Sequence, residues 1–561
     1  MTHLHLPPMD AWFETFLDET LTQPPHRQTD VATYDTLRTL GRLALAAKVM
    51  HIETWNMMHA SRMHKRIPEK LEFDELAALL LKRFDFRMLA TSHQSDDALL
   101  GLYVPSDDDF WQRANDLGAS LGTYTTNTML FHYMISVLSP KTKQKDAEEI
   151  LERVRTFARI AQTTTGSHLF PVQNGIYDQE QDVLLPFSPE LVFLTKIGVD
   201  YVPTAQNPLI TASDGYVWDV ESWLADLAIS PEVETLLWEV ISASLQPNRG
   251  MNKSIWFYSE SGNNGKGTVG QLIKNLLGRG NYASLAVADF KHEFLKHSLI
   301  GVAANISDEN DVDEYIDSVK DYKASVTGDD IMVNRKHKDP VRLQFRGLNI
   351  QMMNGLPKTK DKTGSFYRRL IIVPFIKSFT NNGERGYIKS DYINRRDVLE
   401  YVLKRALHTR FDEFTMPQAS AHLLDQYREK NNPVLDFWNE MHQSFVWDLL
   451  PNGFLYAVYK GWFQSNNPSG TIIGQRAFLD YLSPIVDMSG QWENRMSSGA
   501  SPVKSKGKMD DDEPLITEYG LDGLSKNGMP SAWCDTTYRG TNPEMRRKFI
   551  RKETYRGIVR I

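Results

Sequence analysis

Ile255-Trp256-Phe257-Tyr258-Ser259 runs directly into Glu260-Ser261-Gly262-Asn263-Asn264-Gly265-Lys266-Gly267-Thr268, and this stretch decides the fold. The first residues form a short apolar run, which reads as a buried strand. Beyond Thr268 the apolar positions predict an amphipathic helix to Leu277, stopped by Gly278. Strand, glycine-rich loop, lysine and helix in that order make a phosphate cradle. Glycines let backbone N–H groups converge on phosphate oxygens, and the helix N-terminus adds favourable partial charge. Gly262, Asn263, Asn264, Gly265, Lys266, Gly267 and Thr268 are the expected binding residues, with Lys266 reaching the β- and γ-phosphates. Two positions depart from the usual pattern. Glu260 stands where its first glycine belongs, and Gly267 where Ser or Thr belongs. Thr268 is then the candidate for the metal-binding hydroxyl. A plain Gly/Asn surface turn uses the same residue types.

Downstream the chain keeps alternating apolar strands with helices, the α/β signature. Leu299 to Ile306 is an apolar strand that ends in Ser307-Asp308-Glu309. Two acids at a strand end supply what an ATPase needs. Asp308 would hold magnesium, directly or through water, and Glu309 would orient and polarise the attacking water. Solvated acids at a strand-end turn look the same in sequence. Next come Lys323, Thr327-Gly328-Asp329-Asp330 and Asn334-Arg335-Lys336-His337-Lys338. Five Arg/Lys face one acid between Met332 and Arg346, in a chain of net charge −8. This predicts a hairpin that carries positive charge toward phosphates, or simply a solvated basic turn. Leu348 to Met353 is a further apolar strand, and Asn354 at its end can sense the γ-phosphate through its amide. Phe366-Tyr367-Arg368-Arg369 then precedes the strand Leu370 to Pro374. Arg368 or Arg369 can act as a finger on a neighbouring subunit's nucleotide, or form a surface ion pair.

The order and spacing of these pieces resemble the ATPase core of superfamily three helicases, in the poxvirus and phage/plasmid primase-helicase branch. That branch tolerates Gly-Lys-Gly-Thr in its loop, as in Gly265 to Thr268. It has an acid pair ending the second strand, a Lys…Thr-Gly-x-Asp stretch with a basic hairpin, Asn-x-x-Pro as in Asn354 to Pro357, and a double Arg before a strand ending like Val373-Pro374-Phe375. The resemblance extends from about residue 165 to 561. Upstream, Asn174 to Asp178, Phe187-Ser188-Pro189 and Tyr201 resemble the domain that precedes the ATPase. Downstream, Tyr427-Arg428, Asn432-Pro433-Val434 and Phe437 resemble a connector to a winged helix. The segments Tyr456 to Phe463 and Gln475 to Leu482 would be its helices, and Tyr555 to Arg560 its closing strand.

The expected fold class is therefore multidomain α/β plus α, with a P-loop AAA+-like ATPase core. Residues 1–100 are expected to form a helical region of unknown role, and 101–250 a pre-ATPase collar domain. Residues 251–412 are the core, and 413–561 a winged-helix domain with an enlarged wing at about 496–545. The polar stretch Ser497 to Glu513 is expected to be mobile. Ser106-Asp107-Asp108-Asp109 reads as a helix start, with acids in the first turn, in preference to a metal site.

Composition bounds the rest. At 561 residues, with 41% hydrophobic and 24% charged, the chain is an ordinary multidomain globular protein. The acidic balance excludes a uniformly basic, histone-like binder but not a local basic surface. The single cysteine, Cys534, excludes an internal disulfide and a zinc finger. No apolar run reaches a membrane span, and Met1 to Asp10 lacks the order of a signal peptide. A cytoplasmic protein, in a bacterium or an infected host cell, is expected, with no membrane partner.

The resemblance implies a DNA helicase that uses ATP and Mg²⁺ and forms a homo-hexameric ring on single-stranded or forked DNA during replication. Lys323, Arg335, Lys336, His337 and Lys338 would contact DNA. A separate primase or polymerase is an expected partner, and priming would fall to another polypeptide, because the N-terminal region lacks the cysteine clusters and acid motifs of a primase. Alternatives are a ring ATPase that melts an origin or packages DNA, and a non-hydrolysing origin-binding scaffold.

Overall fold

The computed structural model describes residues 6–7, 9–21, 34–59, 64–90, 98–105, 111, 116–117, 119–308, 310, 316, 318–335, 338–359, 364–379, 384–466, 472–521, 533 and 552–561. The chain divides into two compact units, Met1–Leu424 and Asp425–Ile561.

The first unit begins with α1 (Ala11–Thr20), α2 (Tyr34–Met58) and α3 (Phe73–Arg83). Strands β1 (Phe86–Ala90), β2 (Leu99–Tyr103) and β3 (Tyr124–Thr125) follow, then α4 (Thr128–Leu138), α5 (Gln144–Phe157) and β4 (Arg159–Gln162). The sheet runs β3-β2-β1-β4, with β1 antiparallel to β2 and parallel to β4. The expected helical region 1–100 thus contains β1 and the start of β2. A five-residue apolar run such as Leu99 to Tyr103 has no period that separates strand from helix. One hydrophobic cluster joins Phe13 on α1 to Val154 on α5, so the expected boundary at residue 100 falls inside a sheet and a core. The expected helix start at Ser106 to Asp109 lies outside the described residues.

A three-stranded antiparallel sheet follows, from β5 (Leu169–Val172), β6 (Gly175–Asp178) and β7 (Val183–Leu185), with the first turn at Gln173-Asn174. Helices α6 (Val220–Leu227) and α7 (Pro231–Ser244) follow. Their buried faces share a cluster with the next segment, so residue 250 is also not a division of cores.

That segment contains β8 (Ser254–Tyr258), α8 (Lys266–Leu277), β9 (Tyr282–Ala283), β10 (Ala304–Ser307), α9 (Lys320–Thr327), β11 (Asp330–Arg335), β12 (Lys338–Gln344), β13 (Leu348–Met353), β14 (Leu370–Pro374), α10 (Gly386–Ser390) and α11 (Arg396–Leu407). The main sheet is parallel throughout, in the order β9-β10-β13-β8-β14. Parallel strands are covered on both faces, which is why Ser254 to Tyr258 and Leu348 to Met353 are buried along their whole length. The two faces differ in chemistry. Ile255, Phe257, Ile306, Ile350 and Met352 face the apolar core shared with α8 and α11. On the other face Asn305 Nδ2 donates to Asn349 Oδ1 at 3.1 Å, Asn349 Nδ2 to Ser325 Oγ at 3.2 Å, and Trp256 Nε1 to Tyr322 Oη at 3.0 Å. Buried amides that satisfy one another fix the position of α9 on the sheet, since an unpaired one costs about 1–3 kcal/mol. The strands β11 and β12 stand apart as the predicted hairpin.

The second unit has its own aromatic core, built from Phe437, Tyr459, Trp462 and Phe478 among others. Its elements are α12 (Pro433–Met441), β15 (Leu449–Pro451), α13 (Asn452–Asn466), α14 (Gln475–Ser489), β16 (Trp492–Arg495) and β17 (Gly557–Arg560). The antiparallel sheet runs β15-β17-β16. Ser497 to Glu513, expected to be mobile, is instead anchored. Glu513 accepts from the backbone N–H of Val446 at 2.9 Å and of Trp447 at 3.0 Å, and Met509 is buried. Composition alone misreads this stretch because its few anchoring residues are outnumbered by polar ones. Among the described residues, no helix is long and apolar enough to cross a membrane.

Candidate phosphate-binding site

All strands of the main sheet point one way, so their C-terminal ends gather at one edge. Open parallel sheets bind ligands at that edge. The loop from Glu260 to Gly265 leaves β8 there, Asp308 follows β10, and Asn354 follows β13. Gly265 caps α8 with φ +87°, a left-handed conformation, and a Cβ there would lie 2.5 Å from Leu227 Cδ2. Lys266 is the first residue of the helix and is 6% exposed. Its Nζ donates to Asn354 Oδ1 at 2.8 Å. Burial pulls the Lys266 ammonium down to about 8 from its ordinary 10.5.

The two loop asparagines have structural work. Asn263 adopts a left-handed φ of 54° and donates through Nδ2 to Phe379 O at 2.7 Å, while Phe379 N–H donates back to Asn263 O at 2.9 Å. Asn264 is buried, donates to Ser261 O, and accepts from Lys266 N–H at 3.3 Å. Their side chains shape the loop, leaving backbone N–H groups and Lys266 to meet an anion. Glu260 accepts from Tyr258 Oη at 3.0 Å, and burial together with this carboxylate pushes the Tyr258 phenol up to about 12. The residue replacing the usual glycine is therefore held by its own strand, a contact that sequence spacing did not suggest.

Thr268 is half-buried in the first turn of α8. Asp308 is exposed and lies 3.5 Å from Lys274 Nζ on the same helix. Among the described residues, no group of three or more His, Cys, Asp or Glu is placed to hold a metal ion. Mg²⁺ takes one or two protein ligands and completes its octahedron with water and substrate phosphates. Thr268 and Asp308 fit that donor set. Glu309 lies outside the described residues.

Arg368 and Arg369 precede β14, so they sit at the opposite edge of the sheet from Lys266. Arg368 is exposed, whereas Arg369 donates to the carbonyl of Ser365. Lys323, grouped in sequence with the hairpin, lies beside them: its Nζ donates to Ser365 Oγ at 3.4 Å. The hairpin strands pair from Asp330↔Gln344 to Arg335↔Lys338 with a register shift between Val333 and Arg335. Lys336 and His337, which link β11 and β12 in sequence, lie outside the described residues, as do the side chains of Arg335 and Lys338. One residue near the loop escaped sequence reasoning altogether. Lys389 on α10 reaches the first turn of α8, and the only signal for it is Gly267 in a position that usually carries a hydroxyl.

Three segments of the chain match family models. Residues 257–369 match a family of unknown function (DUF5906), residues 429–513 a poxvirus D5 protein-like family, and residues 54–227 a D5 N terminal like family. No curated protein matches the chain in sequence. An apo structure of the NrS-1 C-terminal region is similar at 12% identity and a TM-score of 0.38, over 75% of this chain and 90% of that one. A second apo structure of that region gives 12% and 0.39 over the same shares. A JCV helicase structure gives 14% and 0.22, over 37% of this chain and 58% of that one.

Proposed function

From a chain that is a D5-like primase-helicase family protein, we propose an ATP-dependent DNA helicase of a phage, virus or mobile element. The observation that carries the reading is the hydrogen bond from Lys266 to Asn354. It joins a phosphate-loop lysine to a polar residue ending the neighbouring strand, where a γ-phosphate would lie between them. Lys266 and the N–H groups at the start of α8 bind the β- and γ-phosphates. Thr268 and Asp308 hold Mg²⁺, which when bound neutralises charge developing on the phosphates. Asp308 meets Lys274 through Oδ2, which leaves Oδ1 to face the metal. Asn354 exchanges the Lys266 ammonium for a phosphate oxygen and so reports whether the γ-phosphate is present. Glu309 orients the attacking water.

Arg368 cannot serve the phosphate loop of its own subunit, because the sheet separates them. Its exposure at the far edge suits a finger that completes a neighbour's site in a ring, with Arg369 holding the turn through Ser365. We take the ring to be a hexamer with an AAA+-type core. The hairpin of β11 and β12 carries Arg335, Lys336, His337 and Lys338 to single-stranded DNA, where contacts to phosphate give salt-dependent, sequence-tolerant binding. The second unit, in which α12, β15, α13, α14, β16 and β17 follow one another and the three strands form one antiparallel sheet, has the helix-strand-helix-helix-strand-strand order of a winged helix and would contact duplex DNA at a fork. Priming falls to a separate polypeptide, and the region before β1 is a candidate site for recruiting it. Strand displacement on forked DNA, with ATP and with a non-hydrolysable analogue, tests the assignment. ATP-dependent displacement is expected. Turnover without displacement would leave an origin-melting or packaging ATPase, and nucleotide binding without turnover a scaffold.

A further inference from the structure

The loop's second departure from the usual pattern has a physical counterpart. A Cβ built on Gly267 would lie 3.7 Å from Lys389 Nζ. The ammonium of Lys389 therefore stands beside the second residue of α8, flanked in sequence by Lys266 and Thr268. Lys389 belongs to α10, a short helix packed on α8. Its backbone is held there by a relay. Asn394 Nδ2 donates to Lys389 O at 3.0 Å, and Asn275 Nδ2, on α8 itself, donates to Asn394 Oδ1 at 2.8 Å and to Ile393 O at 3.0 Å. The helix that carries the phosphate loop thus also fixes the distance to Lys389. The side chain is exposed, and among the described residues no carboxylate pairs with it.

We propose that Lys389 is a second phosphate-binding lysine of this site, acting in cis on the β- or γ-phosphate of a nucleoside triphosphate, and that Gly267 is the residue that admits it. The inference deepens the nucleotide-binding reading and rests on it. A Cβ at position 267 would meet the ammonium at van der Waals distance, so a Ser or Thr there would set its hydroxyl against the cation. Glycine leaves the space there to the cation, and the magnesium-binding hydroxyl moves one residue on, to Thr268. Where the common loop offers one lysine and one hydroxyl side by side, this one offers two ammonium groups with the hydroxyl displaced. A charge-assisted hydrogen bond to phosphate is among the stronger polar contacts a site can make.

The test is equilibrium binding of a fluorescent ATP analogue with Mg²⁺ to the full chain, in wild type, Lys266→Ala, Lys389→Met, Gly267→Ser and the Lys389→Met/Gly267→Ser pair. Lys389 is exposed, so thermal melting of Lys389→Met should match wild type. We expect Lys389→Met to weaken binding about tenfold or more, as loss of a charged hydrogen bond does. Gly267→Ser should also weaken binding, and the pair should lose less than the product of the two single losses, because both act on one contact. Binding by Lys389→Met within about twofold of wild type, with Lys266→Ala defective, overturns this inference and leaves the nucleotide reading standing. Failure of wild type to bind the analogue overturns both.

Discussion

Lys266 Nζ and Asn354 Oδ1 are 2.8 Å apart, at the ends of adjacent parallel strands whose last paired residues are Tyr258 and Met353. The strand register brings the loop and the polar residue together, so the contact follows from the sheet and needs no ligand. An ammonium that is buried gains a neutral acceptor here, and a phosphate would replace that acceptor with a stronger one.

Removing the acceptor separates sensing from binding. Asn354→Ala should lower kcat for ATP hydrolysis about ten- to a hundredfold while analogue binding stays within about threefold, because the amide acts on the γ-phosphate mainly as charge develops. Asn354→Asp should instead weaken binding, since a carboxylate would pair with Lys266 and repel phosphate. Steady-state kinetics alongside direct binding checks both.

The low-lying Lys266 ammonium predicts a pH dependence with a definite sign. The free protein holds this lysine near pKa 8, against 10.5 in an unfolded chain. A bound triphosphate favours the charged form, so binding above about pH 8 must take up a proton. Affinity should be level below about pH 7 and fall, approaching tenfold per unit, above about pH 8. In Lys266→Arg the fall should vanish, because guanidinium stays charged. In the free protein the same shift costs stability at low pH, and that cost is relieved as pH rises from about 8 to 10.5.

The hairpin predicts a salt signature. Single-stranded DNA binding should weaken steeply with salt, and Arg335→Ala or Lys338→Ala should each reduce the slope of log affinity against log salt by about 0.7–1. The loss should be similar for different sequences. Fluorescence anisotropy at several salt concentrations measures it.

The separate core of the second unit predicts separable stability. A Cβ at Gly557 would lie 1.9 Å from Leu450 O, a backbone atom that cannot move aside. Gly557→Ala should destabilise the unit around β17 by about 2 kcal/mol or more. Binding of the ATP analogue by the first unit should be unchanged. Calorimetry should show one transition lowered and the other in place.

Much of the core was legible in the sequence because its signals are local. A strand, a loop and Lys266 are contiguous, and buried parallel strands such as Leu348 to Met353 read as unbroken runs apart from Asn349 and Gln351. Asn349 satisfies partners on β10 and α9, and Gln351 Nε2 donates to Leu285 O at 3.1 Å, so their role appears only when the sheet is assembled. The strands at Phe86 and Leu99 were hidden because short apolar runs carry no decisive period. Lys323 was grouped with the hairpin by sequence distance but lies beside Ser365, brought there by α9. Lys389 had no motif of its own. Its place depends on Asn275 and Asn394, more than a hundred residues apart in the chain.

The central claim is a nucleotide site shared between subunits, and one measurement addresses it most directly. ATP hydrolysis is followed with and without single-stranded DNA for wild type, Lys266→Ala and Arg368→Ala, and for the two variants mixed. The account predicts DNA-stimulated turnover in wild type, loss by about 10³-fold or more in each variant, and partial recovery on mixing, because a mixed ring contains interfaces with an intact lysine and an intact arginine. Full turnover by Arg368→Ala, or no recovery in a mixture that still assembles, would contradict a site completed by Arg368 of a neighbour.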